Sequence, residues 1–99
     1  ALPDDFVLYQ NYPNPFNPVT QISFALPAAA SEGVHVRLTV YNLLGEVVRT
    51  LVDEAKFAGK YSVFWDARDT FNVPVPSGVY IYSFEAGEYK TMKRMVLLK

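Results

Sequence analysis

Val34-His35-Val36-Arg37-Leu38-Thr39-Val40-Tyr41-Asn42-Leu43-Leu44-Gly45-Glu46-Val47-Val48-Arg49-Thr50-Leu51-Val52 decides the fold class. Val36, Leu38 and Val40 fall on one side of an extended chain, and His35, Arg37, Thr39 and Tyr41 fall on the other. That two-residue period is the signature of a strand with one dry face. Asn42-Leu43-Leu44-Gly45 forms a tight turn whose glycine can take positive φ, and Glu46 to Val52 returns as the hairpin partner.

The same pattern extends in both directions. Upstream, Thr20 to Leu26 alternates, with Ile22, Phe24 and Leu26 on one face, and Pro27 to Gly33 is a loop of small residues. Before it, Phe6-Val7-Leu8-Tyr9 leads into Asn11-Tyr12-Pro13-Asn14-Pro15-Phe16-Asn17-Pro18. Its three prolines fix φ and remove donors, so neither a helix nor a central strand can pass. Tyr12 and Phe16 are expected to pack this loop onto the domain. Downstream, Asp53 to Ala58 fits a helical turn or a loop equally well. Gly59 opens a strand through Tyr61, Val63 and Trp65, whose alternation places Trp65 in or beside the core. Asp66 to Ser77, with Pro74 and Pro76, is irregular. Tyr80, Tyr82 and Phe84 share a face of the strand Val79 to Ala86, Gly87 turns the chain, and Glu88 to Leu98 closes it.

About seven short strands with turn signals every ~8–12 residues predict an all-β, immunoglobulin-like antiparallel sandwich, a small closed barrel being the alternative. A length of 99 residues gives one domain, 1–99, and not two cores. The composition, 51% hydrophobic with seven Tyr, seven Phe and one Trp, argues against disorder. Without cysteine there is no disulfide framework and no thiolate metal site, and an antibody-type Cys–Trp–Cys core is excluded. No apolar run approaches the ~20 residues of a membrane-spanning helix, so no transmembrane segment is expected. The chain starts at Ala1 and not at Met, which leads us to expect a piece of a longer protein with any secretory signal upstream.

Nine Lys and Arg stand against ten Asp and Glu, which gives no electrostatic case for nucleic acid. The balance is uneven along the chain, because residues 90–99 carry Lys90, Lys93, Arg94 and Lys99 and no acid. Catalysis needs a base, a nucleophile or a metal. The one histidine, His35, sits on the polar face of a strand without ligand-spaced neighbours, and nucleophile-elbow and phosphate-loop motifs are absent, so the domain is expected not to be an enzyme. Asp66, Asp69 and Asn72 fall close enough in one loop to gather calcium, the single cofactor the sequence suggests. A turn-capping or salt-bridging role beside Arg68 accounts for the acids without it. Tyr41, Phe64 and Phe71 alternate outward and would suit a sugar-binding platform, although they are expected instead to lie under loops or in the second sheet.

Four segments share a pattern. They are Leu8-Tyr9-Gln10-Asn11-Tyr12-Pro13-Asn14-Pro15-Phe16-Asn17-Pro18; Val40-Tyr41-Asn42-Leu43-Leu44-Gly45-Glu46-Val47-Val48; Trp65-Asp66 with Ser77-Gly78-Val79-Tyr80-Ile81-Tyr82; and Lys93-Arg94-Met95-Val96-Leu97-Leu98-Lys99. In that order the chain resembles the type A C-terminal sorting domain of type IX secretion (Por secretion) substrates. Around Trp65 it also looks like the Ig-like domain of the flagellar hook-capping protein. The resemblance implies a domain at the end of a larger secreted protein, with three partners: the N-terminal cargo of the same polypeptide, the outer-membrane secretion machinery, and a surface sorting enzyme. It implies passage through the periplasm to the cell surface or medium of a Bacteroidetes-like bacterium, with cleavage before the domain or near residues 1–5. The recognition residues it suggests are Lys93, Arg94, Met95, Val96, Leu97, Leu98 and Lys99. Lys93, Arg94 and Lys99 would orient the strand, while Met95 and Leu97 would fill the core or pair with a receptor by strand addition. Thr70-Phe71-Asn72-Val73 departs from the family's Gly-rich turn. The competing reading is a structural spacer or carbohydrate-binding module of a secreted enzyme.

Overall fold

Two antiparallel sheets face each other across one core in the computed structural model, which describes residues 5–99. The strands are β1 (Val7–Leu8), β2 (Thr20–Leu26), β3 (Val34–Tyr41), β4 (Val47–Lys56), β5 (Gly59–Trp65), β6 (Gly78–Ala86) and β7 (Tyr89–Leu97), with one 3-10 turn at Ala28–Ala30. The first sheet has the order β1-β2-β5 and the second the order β4-β3-β6-β7. This is the sandwich that the strand alternation predicts. The near-N-terminal cleavage expectation falls largely outside the described residues.

The period-two pattern of each strand becomes the dry interior. Ile22, Phe24, Leu26 and Trp65 of the first sheet meet Val36, Leu38, Val40, Tyr82, Phe84, Met95 and Leu97 of the second, all of them buried. Aromatic pairs join the layers. Phe24 lies 5.1 Å from Phe84, and Trp65 lies 5.5 Å from Tyr80 in an edge-on arrangement. Trp65 is 1% exposed, and its indole N–H donates to the Arg68 carbonyl, so the ring is buried without orphaning its one polar atom.

The undecided stretch after Val52 is a strand as far as Lys56. It runs beside Val34 to Arg37 of β3, with Arg37 opposite Asp53 and Val34 opposite Lys56, and the long neighbour extends the ladder where the local sequence is ambiguous. His35 and Arg37 both reach Asp53 across this pair. Register shifts at Leu38/Thr39 and Val40/Tyr41 mark bulges that let Val48 turn inward. In the hairpin turn Asn42 Oδ1 accepts the N–H groups of Leu44 and Glu46, and Gly45 sits at φ 83°, where a side chain would be strained. Gly87, at φ 60°, also has Val34 Cγ2 only 3.0 Å from where a Cβ would stand. At the other end β1 is shorter than its apolar run. Val7 and Leu8 pair with β2 as a strand, and beyond them Tyr9 bonds Ser23 and Tyr12 makes an isolated bridge to Gln21 as the chain turns into the proline loop.

Candidate functional site

The last strand and the proline loop form one unit. β7 is an edge of the four-stranded sheet, and the even-numbered residues of its second half point their backbone groups away from β6. From the Arg94 carbonyl onward those groups are occupied. Gln10 Nε2 donates to the Arg94 carbonyl (2.7 Å), Val96 N–H donates to Asn14 Oδ1 (2.9 Å), Phe16 N–H donates to the Val96 carbonyl (3.0 Å), and Leu98 N–H donates to the Phe16 carbonyl (3.0 Å). Phe16 and Leu97 make a short parallel bridge, and the Lys99 N–H donates to Ser77 Oγ. The proline-rich segment therefore acts as a clasp over residues 94–98.

Two internal devices hold the clasp in shape. The Phe16 ring is buried 5.8 Å from Trp65, which ties the loop to the core. Tyr82 Oη donates to the Tyr9 carbonyl and accepts the Asn11 N–H, both at 2.9 Å. Burial pushes the Tyr82 phenol up to about 12, because the phenolate would lose its hydration there. Asn11 Nδ2 donates to Thr20 Oγ1 and the Pro13 carbonyl, and the Thr20 hydroxyl also donates to Pro13. Prolines supply no donors, so these side chains make the bonds that a strand would have made.

The residues picked out near the end of the chain divide by face. Met95 and Leu97 are fully buried core residues, the first of the two roles open to them. The backbone groups at Val96 and Leu98 through which a strand could add are already held by the clasp. Lys93 stands opposite Tyr82 and is half-buried, Arg94 stands opposite Ile81 and is exposed, Val96 is half-buried, and Leu98 and Lys99 are exposed. The sequence missed Gln10, Asn14 and Phe16 as partners of β7. The Asn-Pro repetition signals an ordered loop but not the strand it meets.

The loop after Trp65 uses its acids locally. Asp69 Oδ1 accepts the N–H groups of Phe71 (2.9 Å) and Val73 (3.0 Å), Asp66 lies 3.9 Å from the Arg68 guanidinium, and Arg68 donates to the Asn72 carbonyl. Asp69 and Asn72 are thus brought into one turn, with Asp66 directed to Arg68, and no group of three or more His, Asp or Glu that could hold an ion occurs among the described residues. His35 hydrogen-bonds Asp53 on the exposed face of the second sheet, and that bond holds the Asp53 carboxyl below its ordinary range. Phe64 and Phe71, 68% and 85% exposed, are not covered, whereas Tyr41 is half-buried in the second sheet as expected; Phe64 lies on the outer face of the first sheet and Tyr41 on that of the second, so the three do not share a platform. No helix among the described residues is long and apolar enough to cross a membrane.

Solved structures share this fold. Dimeric latent PorU from Porphyromonas gingivalis superposes with a TM-score of 0.76 at 18% identity over 99% of this chain. PorZ, described as an essential surface component of the type IX secretion system of the same organism, superposes at 0.63 with 21% identity over 93% of the chain. This chain spans 10% and 11% of those two chains. FlgD from P. aeruginosa superposes at 0.60 with 21% identity, covering 97% of this chain and 77% of that one. No curated protein matches by sequence. Residues 13–90 match the FlgD Ig-like domain, from within the clasp to the start of β7, and the chain belongs to that family.

Proposed function

We propose that this domain is a non-catalytic sorting domain that directs a larger cargo protein through a type IX secretion system to the cell surface or medium. The observation that carries this reading is the meeting of two distant motifs. Asn14 and Phe16 of the proline motif bond directly to Val96 and Leu98 of the last motif, so the segments that resemble sorting domains build one structural feature. The fold shared with PorZ, whose own description places it in that secretion system, supports the same reading. Lys93 and Arg94 are the docking residues in this proposal, with the secretion machinery and a surface sorting enzyme as partners.

The test fuses residues 1–99 to the C-terminus of a reporter that carries an ordinary secretory signal. Export to the surface or medium of a host with the system is expected, and retention in the periplasm of a strain lacking it. Arg94→Ala/Lys99→Ala should reduce export while leaving the fold intact, since exposed charges contribute little to stability, and adding the half-buried Lys93→Ala should reduce it further, with the unfolding midpoint as the check that the fold survives. Export without the machinery, or no export of a folded fusion, overturns the reading and leaves a spacer role.

A further inference from the structure

The clasp covers only the second half of the β7 edge. Register alternation directs the backbone groups of Lys90 and Met92, and the Arg94 N–H, to the same side as the clasped groups of residues 94–98, and among the described residues none of them has a partner. A row of unpaired strand groups is a template for another strand. Beside it lies a groove of ≈ 200 Å³ lined by Ile81, Met92, Lys93 and Arg94. None of the ion pairs among the described residues includes Lys93 or Arg94, which stand opposite Ile81 and Tyr82 and not opposite acids. Lys90 alone faces a carboxylate, that of Glu85.

We propose that the open stretch Lys90–Arg94 takes up an extended, acidic segment of a partner protein as an added strand, with its carboxylates on Arg94, over the face that Arg94 shares with Met92 and Ile81, and its apolar side chains alternating onto the Lys93 face. The occupant is foreign to this chain. The other edge of the sheet, β4, is net neutral, with Arg49 and Lys56 against Asp53 and Glu54, and its acids are engaged at home, Asp53 by the His35 hydrogen bond and Arg37 and Glu54 by Lys56. A β7–β7 pairing of two copies would bring like charges together. The clasp would fix where the added strand stops, because Gln10 already holds the Arg94 carbonyl. This deepens the sorting reading by giving its receptor a chemistry, but the strand addition is read from the edge alone.

The experiment titrates the isotopically labelled domain with an acetylated, amidated heptapeptide of alternating valine and glutamate, with the same peptide carrying lysine for glutamate, and with a backbone N-methylated acidic peptide. The acidic peptide is expected to shift the amide resonances of Lys90, Met92 and Arg94, to bind at least ~10-fold more tightly than the lysine peptide, and to weaken as salt rises. N-methylation should abolish the shifts. Met92→Pro removes an N–H that the β6–β7 ladder does not use and should block binding, and Arg94→Glu should weaken it ~10-fold. The unfolding midpoint of each variant checks that it remains folded. Equal binding of the lysine peptide, shifts confined to another edge, or no shift at all overturns the proposal. Peptide binding by a domain that fails to export its reporter would refute the sorting reading alone, and export without peptide binding would refute this one alone.

Discussion

The loop Asn11 to Pro18 and the loop Asp66 to Ser77 are both long, proline-bearing and irregular, yet their middles are held in different ways. The first sends Phe16 into the core and its backbone onto β7. The second buries Ala67 and Val75 and is tied to its surroundings through Trp65 to Arg68 and Thr70 to Val48, but its tip exposes Phe71 and is bonded to itself, through Asp69 to Phe71 and Val73 and through Arg68 to Asn72. A segment without regular structure can thus be ordered from outside, by what its side chains reach, or from inside, by its own turns. The first mode couples the loop to the stability of the whole domain, whereas the self-bonded tip of the second, at residues 71–73, is coupled to it only weakly.

The largest effect should come from Phe16→Ala, which leaves a cavity beside Trp65. A loss of ~3–5 kcal/mol is expected in chemical denaturation, together with faster amide exchange at Val96 and Leu98. An unchanged midpoint would mean that the prolines alone order the loop. Tyr82→Phe comes next, because it orphans the Asn11 N–H and the Tyr9 carbonyl, at a cost of ~1–3 kcal/mol. The pH dependence sharpens this. The phenol is raised in the folded state, so its contribution is complete below the unfolded value of ~10 and is lost as pH rises toward about 12. The alkaline loss should shrink in Tyr82→Phe, leaving the smaller part due to Tyr80, which burial also raises.

Asn14→Ala and Asp69→Ala compare the two loops directly. Each removes a side-chain acceptor of backbone N–H groups and should lower stability by ~1 kcal/mol. Amide exchange should separate them, with Asn14→Ala opening β7 at Val96 and Asp69→Ala opening only residues 70–73. Spread of the Asp69→Ala effect into β7 would break the distinction. The smallest effect belongs to Phe71→Ala, which should stay within ~0.5 kcal/mol because the ring is solvent-facing.

Strand alternation made the core legible, since Val36, Leu38 and Val40 and then Tyr80, Tyr82 and Phe84 need only a period of two to be assigned a face. Asp53 to Lys56 was not legible because its pairing comes from β3 and not from its own residues. Met95 and Leu97 carried two readings until the fold placed them inside. The clasp escaped because it depends on Asn14 and Gln10 reaching a strand more than eighty positions away, with separations of 82 and 84 residues. Phe64 and Phe71 went the other way, since apolar residues expected under cover are on the surface, where single exposed aromatics are ordinary.

Those separations have a kinetic meaning. Closing a contact over some eighty residues costs chain entropy before any bond repays it, and β-sandwiches dominated by such pairings fold in milliseconds to seconds, not microseconds. The proline motif is synthesised some eighty residues before its backbone partners at Arg94 to Leu98, so a nascent chain cannot fasten the loop until those residues have emerged. Until then Phe16 has no bridge to β7, and the edge of the second sheet stays unclasped.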